Sequence, residues 1–166
     1  MSTQNLLPSE AEIVIIGGGI VGCSLAYHLT KRGINDVVLL ERKQLTCGTT
    51  WHAAGLVSML WPTPTLTNLA KYCHELYATL EEETGQATGY KQIGSLSLAR
   101  NKERLEELKR NASMAKVFGV KSEILGPNEI CALYPGLNSE GILGALHIEK
   151  DGQTNPIDTT MALAKG

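Results

Sequence analysis

The sequence predicts an α/β fold in which a Rossmann-like βαβ unit opens a two-domain chain and leads into part of an α+β region. Three observations predict it. The apolar run EIVII at 12–16 ends on three glycines, Gly17 to Gly19. Apolar residues at helical spacing follow, and a second apolar run, Val37 to Leu40, ends on the acidic Glu41.

The first run is short and bounded by glycine, as a buried strand should be. A helix is expected from about Ile20 to Arg32, with Leu25, Ala26 and Leu29 on one face and Gly33 at its stop. Val37 to Leu40 is unbroken, as expected of a parallel strand covered on both faces. Two such strands joined by a helix make a right-handed crossover.

After Glu41 the pattern changes. Residues 42–64 have no period and hold two prolines and two glycines, which predicts a long irregular loop of a kind that often carries function. From Thr65 a helix is expected, with Leu66, Leu69, Ala70, Cys73, Leu76, Tyr77 and Leu80 on one face and Gly85 at its end. Tyr90 to Ala99 reads as a strand or hairpin arm around Gly94. A second amphipathic helix spans about Lys102 to Phe118, capped by Asn101 and stopped by Gly119. Val120 to Leu125 and Ile142 to Ile148 are strand candidates, with a short helix from Pro127 between them, and a final helix starts at Pro156. The expected organisation is a tail at 1–11, a βαβ unit with its loop at 12–60, a helix and strand region at 61–150, and a return helix of the first domain, cut short, at 151–166.

Composition sets the outer limits. The 166 residues are 43% apolar and 19% charged, which excludes a disordered chain. A net charge of −2 gives no basic face for nucleic acid. No apolar run approaches the roughly 18 residues that span a bilayer, so no membrane partner is expected. The start MSTQNLLPSE lacks both the apolar core of a signal peptide and the arginines of a transit peptide. The expected location is the cytoplasm, or the mitochondrial matrix for a eukaryotic chain whose presequence is missing. Cys23, Cys47, Cys73 and Cys131 lie far apart, so reduced thiols are expected and no metal site.

Gly17, Gly19 and Gly22 form a G-x-G-x-x-G motif between a strand and a helix, and Glu41 ends the next strand. Each part has a task. Gly17 permits the tight turn, Gly19 lets the backbone approach a pyrophosphate, and Gly22 allows close packing of helix on strand. The phosphates would meet free N–H groups at the positive end of the helix. Glu41 is placed to accept ribose hydroxyls, and its charge would repel a 2′-phosphate.

The motif does not separate FAD from NAD, since both carry the same ADP half. The loop 45–56, LTCGTTWHAAGL, is the discriminating stretch, with small and hydroxyl residues directly after the ribose-binding strand. His52 is its only histidine. From the residues alone it is a nucleophile, a general base or a hydrogen-bonded loop residue. His28, His74 and His147 are expected to be packing or surface residues.

ERKQLTCGTTWHAAGL, with GGGIVGCSLAYHL, LEEETGQATGY and DGQTNP, resembles the start of the dimethylglycine and sarcosine dehydrogenases, flavoenzymes of the wider D-amino-acid oxidase group. The resemblance runs from about Glu12 to Gly166. It implies covalent FAD, carried by His52 through the 8α carbon of the flavin. It also implies FAD contacts at Ile20 and Val21, at Glu41 and Arg42, and along Gly48, Thr49, Thr50, Trp51, His52, Ala53, Ala54, Gly55 and Leu56. Cys47 and Thr49 stand where relatives often have serine or another small residue.

The implied reaction is oxidation of the N-methyl C–N bond of sarcosine or dimethylglycine, a small N-methylated substrate. The one-carbon unit then leaves as formaldehyde or passes to tetrahydrofolate in the full-length protein, with an electron-transfer flavoprotein as one acceptor. No catalytic residue is assigned within the chain, and the stretch alone is expected to be inactive. Two other readings stand beside this one. An NAD-dependent reductase is disfavoured by the TWHAAG block. A non-catalytic relative, similar to the regulatory subunit of pyruvate dehydrogenase phosphatase, is disfavoured by the presence of His52.

Overall fold

The computed structural model describes residues 8–166. The leader and tail expectations for residues 1–7 lie outside the described residues. The βαβ unit forms as the sequence predicts. Strands β1 (Ile13–Ile16) and β2 (Val37–Leu40) pair in parallel, with Ile13 opposite Val37 and Ile16 opposite Leu40. Helix α1 (Ile20–Lys31) crosses between them and stops where Gly33 takes φ +82°, a left-handed conformation that glycine adopts without a Cβ penalty. The expected cover on both faces of this sheet is only partial. Ile15 is buried, but Ile16 is 88% exposed and β2 is half-buried throughout, because the sheet has two strands and α1 packs on them.

The chain divides into two compact units. The first comprises the residues up to Ala54 together with 79–89 and 155–166. Its last element, helix α5 (Pro156–Lys165), packs on α1 and is capped by Asn155, whose Oδ1 accepts from the Ile157 and Asp158 N–H groups. The buried Tyr27 on α1 donates its hydroxyl to Glu83 at 2.8 Å, and Lys31 pairs with the same carboxylate at 2.9 Å.

The second unit holds Gly55–Ala78 and Tyr90–Thr154. Strand β7 (Gly144–Ile148) is central, antiparallel to both β5 (Ser95–Ala99) and β6 (Glu123–Leu125). Helix α3 (Lys102–Val117) packs on this sheet, around a core of Ala99, Leu108, Ala115, Val120, Leu146 and Ile148. Its predicted cap is present, with Asn101 Oδ1 accepting from the Arg104 N–H at 2.8 Å. The short helix α4 (Pro127–Leu133) brings Ile130 onto Leu125, Ile142 and Ala145. A smaller sheet places β8 (Gly152–Gln153) between β3 (Leu56–Val57) and β4 (Lys91–Gln92).

The structure corrects four further expectations. The stretch 42–64 is not irregular throughout, because it contains a 3₁₀ turn at Thr50–His52 and strand β3. Tyr90 to Ala99 is not one hairpin arm: Gly94, at φ +75°, separates β4 from β5, which belong to different sheets. Helix α2 (Pro64–Thr84) buries Thr67, Ala70, His74 and Leu80, while Leu66 and Leu69 are exposed. Its face is turned because Thr67 Oγ1 accepts from the Trp61 N–H and donates to the Trp61 carbonyl, both at 3.1 Å. Strands β6 and β7 begin later than predicted, at Glu123 and Gly144. Val120 instead closes α3 by donating its N–H to Ala115.

His74 shares a 2.8 Å hydrogen bond with the Tyr90 hydroxyl through Nδ1, and it is buried. Burial holds its pKa below the usual histidine value, against the opposing charge of Asp151 and the Val57 backbone. The folded state therefore binds fewer protons than the unfolded chain on the acid side, so stability rises with pH there. The second unit is expected to lose stability as pH falls below about 6.5, and His74→Phe to flatten that slope. Thermal midpoints across this range for both proteins check it.

Candidate cofactor-binding site

The glycine motif is shaped by backbone contacts. Gly17 takes φ +112° and donates its N–H to the Leu40 carbonyl at 2.8 Å, which joins the end of β1 to the end of β2. A Cβ on Gly22 would run into the Gly17 carbonyl oxygen, so α1 rests directly on the turn before it. No side chain of Gly19 caps α1. The hydroxyl of Thr50 caps it instead from the loop, accepting from the Ile20 N–H at 3.0 Å.

Glu41 Oε2 accepts from the Gly18 N–H at 2.9 Å, and Oε1 accepts from the Lys43 N–H at 3.1 Å. These bonds, the Gly18 one foremost, hold its carboxyl below the usual carboxylate range, so it is ionised at neutral pH. The Cys47 thiol also donates to Oε1, at 3.7 Å, so the carboxylate is held from both its own loop and the glycine turn.

Two residues in this cluster escape the motif reading. Gly18 occupies an "x" of G-x-G-x-x-G, yet a Cβ there would meet Leu45 Cδ2 at 2.5 Å and Glu41 Cβ at 2.9 Å. Thr46 is buried at φ +71°, a left-handed conformation rare for a β-branched residue. Its N–H donates to the Gly18 carbonyl at 2.8 Å, so the strain is held in the contact between the two loops. Nothing in local propensity signals a threonine there.

The structure thus brings together Gly17, Gly19, Ile20, Gly22, Glu41 and Thr50. Val21, Arg42, Gly48 and Thr49 are exposed, as are Trp51, His52, Ala53 and Ala54. The His52 ring lies on Trp51, with centroids 3.8 Å apart. Gly55 and Leu56 belong to the second unit, where the Gly55 carbonyl accepts from the Thr154 N–H. The other histidines are engaged locally: the His28 ring bonds within α1 to the Ser24 carbonyl, and His147 faces Glu123. The four cysteines are free, and no metal-binding group of side chains occurs among the described residues.

These residues fit the ADP half of FAD. The α1 N-terminus carries no side chain of its own at Gly19, the Thr50 hydroxyl takes only the Ile20 N–H, and an ionised carboxylate stands at the end of the neighbouring strand. The family model for FAD-dependent oxidoreductases, named DAO, matches residues 12–166. The chain belongs to this family. FAD is therefore its cofactor class, and the predicted Rossmann-like start agrees with the fold of family members. Human mitochondrial sarcosine dehydrogenase is 45% identical over 160 residues, which is 96% of this chain and 17% of that protein. Rat mitochondrial dimethylglycine dehydrogenase is 47% identical, over 95% of this chain and 18% of its own. The mouse mitochondrial regulatory subunit of pyruvate dehydrogenase phosphatase is 43% identical, with 95% and 18% covered. This family member thus spans less than a fifth of the length of each of these three relatives. The solved L-proline dehydrogenase from P. horikoshii superposes with a TM-score of 0.88 at 32% identity, covering 95% of this chain and 41% of that one. No helix among the described residues is long and apolar enough to cross a membrane.

Loss of the Glu41 carboxylate removes the Gly18 bond and the one acidic acceptor of the glycine turn. Glu41→Ala is expected to weaken FAD binding roughly ten-fold or more. Flavin titration, run in a His52→Ala background so that no covalent bond at that ring can interfere, checks it. Unchanged affinity would remove Glu41 from the site.

Proposed function

We propose that this chain is the N-terminal, FAD-binding part of an oxidoreductase that oxidises the N-methyl C–N bond of sarcosine or dimethylglycine. The observation that carries the reading is the TTWHAAG loop at the mouth of the glycine motif, with Thr50 capping α1 and His52 exposed two residues later. Bound flavin supplies the electron-pair acceptor. The chain's own residues hold it: backbone around Gly17 to Gly22 takes the diphosphate, Glu41 the ribose, and residues 48–56 the flavin half. His52 is the covalent tether rather than a proton carrier. The division of the sequence at 12–60, 61–150 and 151–166 into cofactor unit, substrate-side region and return helix belongs to the same reading.

Substrate recognition and acid–base groups belong to other parts of the whole protein. So do tetrahydrofolate as a carrier of the one-carbon unit and an electron-transfer flavoprotein as acceptor. A mitochondrial matrix location goes with the reading for a eukaryotic source, in line with relatives that are mitochondrial, and a cytoplasmic one for a bacterial source. The test is anaerobic addition of sarcosine or dimethylglycine to the natural full-length protein. Bleaching of the yellow flavin by either is the expected result. The likeness to a phosphatase regulatory subunit favours a second, non-catalytic reading, and flavin that stays oxidised with both amines would move the assignment there.

A further inference from the structure

The turn that carries His52 is built within the first unit alone. Thr50 opens it and is buried, with its hydroxyl on the Ile20 N–H at 3.0 Å. The His52 N–H donates to the Thr49 carbonyl and the Ala53 N–H to the Thr50 carbonyl, both at 3.1 Å. Helix α5 packs on the same turn. The backbone of His52 is therefore fixed, and only the torsions of its side chain are left to settle. Nothing polar settles them. Among the described residues, neither ring nitrogen of His52 has a hydrogen-bond partner. A histidine that must present one nitrogen is commonly oriented by a bond at the other. The His52 ring has the Trp51 indole instead, with centroids 3.8 Å apart and planes tilted by 34°. Adjacent residues of a helical turn point in different directions, so chain position does not impose this stack. Burial does not impose it either, since Trp51 is 54% exposed.

What the stack supplies is direction. We propose that Trp51 is a positioning residue for flavin attachment, its indole face holding the His52 imidazole in the orientation from which a ring nitrogen reaches the 8α carbon. The inference rests on the covalent reading given above. An imidazole held by stacking keeps the lone pair of its unprotonated nitrogen free, whereas one held by a hydrogen-bond donor would spend it. Attachment forms a bond between an imidazole nitrogen and the 8α carbon, and it breaks one C–H bond there and the imidazole N–H. Both hydrogens and the electron pair pass to the flavin ring system, which ends reduced, so the step needs no outside oxidant.

The natural full-length protein, prepared without flavin, is mixed with FAD at a series of concentrations, and covalent flavin is followed as a fluorescent band on a denaturing gel. The limiting rate and the half-saturating FAD concentration are read separately, with thermal midpoints in parallel. Trp51→Leu removes the flat face and is expected to lower the limiting rate about three- to ten-fold, the range that a lost aromatic pair supplies. Trp51→Phe keeps a ring in the same place and is expected to attach flavin at close to the wild-type limiting rate. A group that served FAD binding alone would move half-saturation and leave the limiting rate as it was. A wild-type limiting rate in Trp51→Leu overturns the proposal, as does Trp51→Phe attaching as slowly as Trp51→Leu. If Trp51→Leu does not fold, Trp51→Gln, suited to an exposed site, carries the same expectation and the same overturning result. Wild-type protein that carries no covalent flavin defeats the covalent reading itself, and the Trp51 proposal with it.

Discussion

Gly22→Ala is expected to abolish FAD binding and to lower the thermal midpoint sharply. The added Cβ would land on the Gly17 carbonyl oxygen and lie 3.4 Å from Ile15 Cγ2. Neither neighbour can yield easily. Gly17 is tied to Leu40 by its N–H and sits at φ +112°, while Ile15 is part of the small buried core of β1. Moving α1 off the turn would break the Ile20–Thr50 cap and the placement of helix dipole and glycine backbone together. A cost of about 2–4 kcal/mol or more follows from such overpacking against backbone. Gly19→Ala offers the contrast. Its Cβ would meet only Thr50 Oγ1, at 3.0 Å, a contact that a shift of the Thr50 side chain by a few tenths of an ångström relieves. That variant is expected to keep its thermal midpoint while losing FAD affinity, because the methyl stands where the pyrophosphate approaches. Calorimetry and flavin titration of both variants check the pair. A Gly22→Ala protein that melts like wild type would refute the packing account of the motif.

The opening βαβ unit was legible because each signal in it is local. Strand runs, the glycine turn, the Gly33 stop and the acidic strand end all lie within thirty residues and agree with one another. The cap at Asn101 was equally readable; the one at Asn155 rests on the same chemistry but was found only in the structure. Long-range hydrogen bonds were not readable. Thr67 turns the face of α2 through its bonds to Trp61, which periodicity cannot anticipate. Gly94 looks like a hairpin apex, and only the distant strands β7 and β8 show that it parts two sheets. Within the candidate site, the motif marks Gly17, Gly19 and Gly22, but Gly18 is as constrained as any of them. Its constraint comes from Leu45 and Glu41, more than twenty residues away in sequence. Thr46 is less readable still, since its conformation runs against its own propensity and is held by tertiary contact.

His52→Ala is expected to convert flavin retention under denaturing conditions from complete to none, while leaving reversible FAD binding in place. Among the residues the resemblance marks, His52 has the one side chain able to form a lasting bond with the flavin's 8α carbon. Its backbone is fixed by the 3₁₀ turn, with its N–H donated to the Thr49 carbonyl at 3.1 Å. Its ring is exposed and rests on Trp51, which narrows the directions it can point. Removing the ring leaves intact the contacts assigned to the ADP half: the glycine backbone, the Glu41 carboxylate and the Thr50 cap. The variant should therefore still colour yellow, and yield free FAD on acid precipitation. Wild-type full-length protein should keep its flavin through the same treatment and fluoresce as a band on a denaturing gel. Affinity and attachment are thus separated by one substitution, because the groups proposed for each are different atoms. Flavin that washes free of the wild type after acid would defeat the tether assignment and leave the FAD assignment standing, since the latter rests on Gly17 to Gly22 and Glu41.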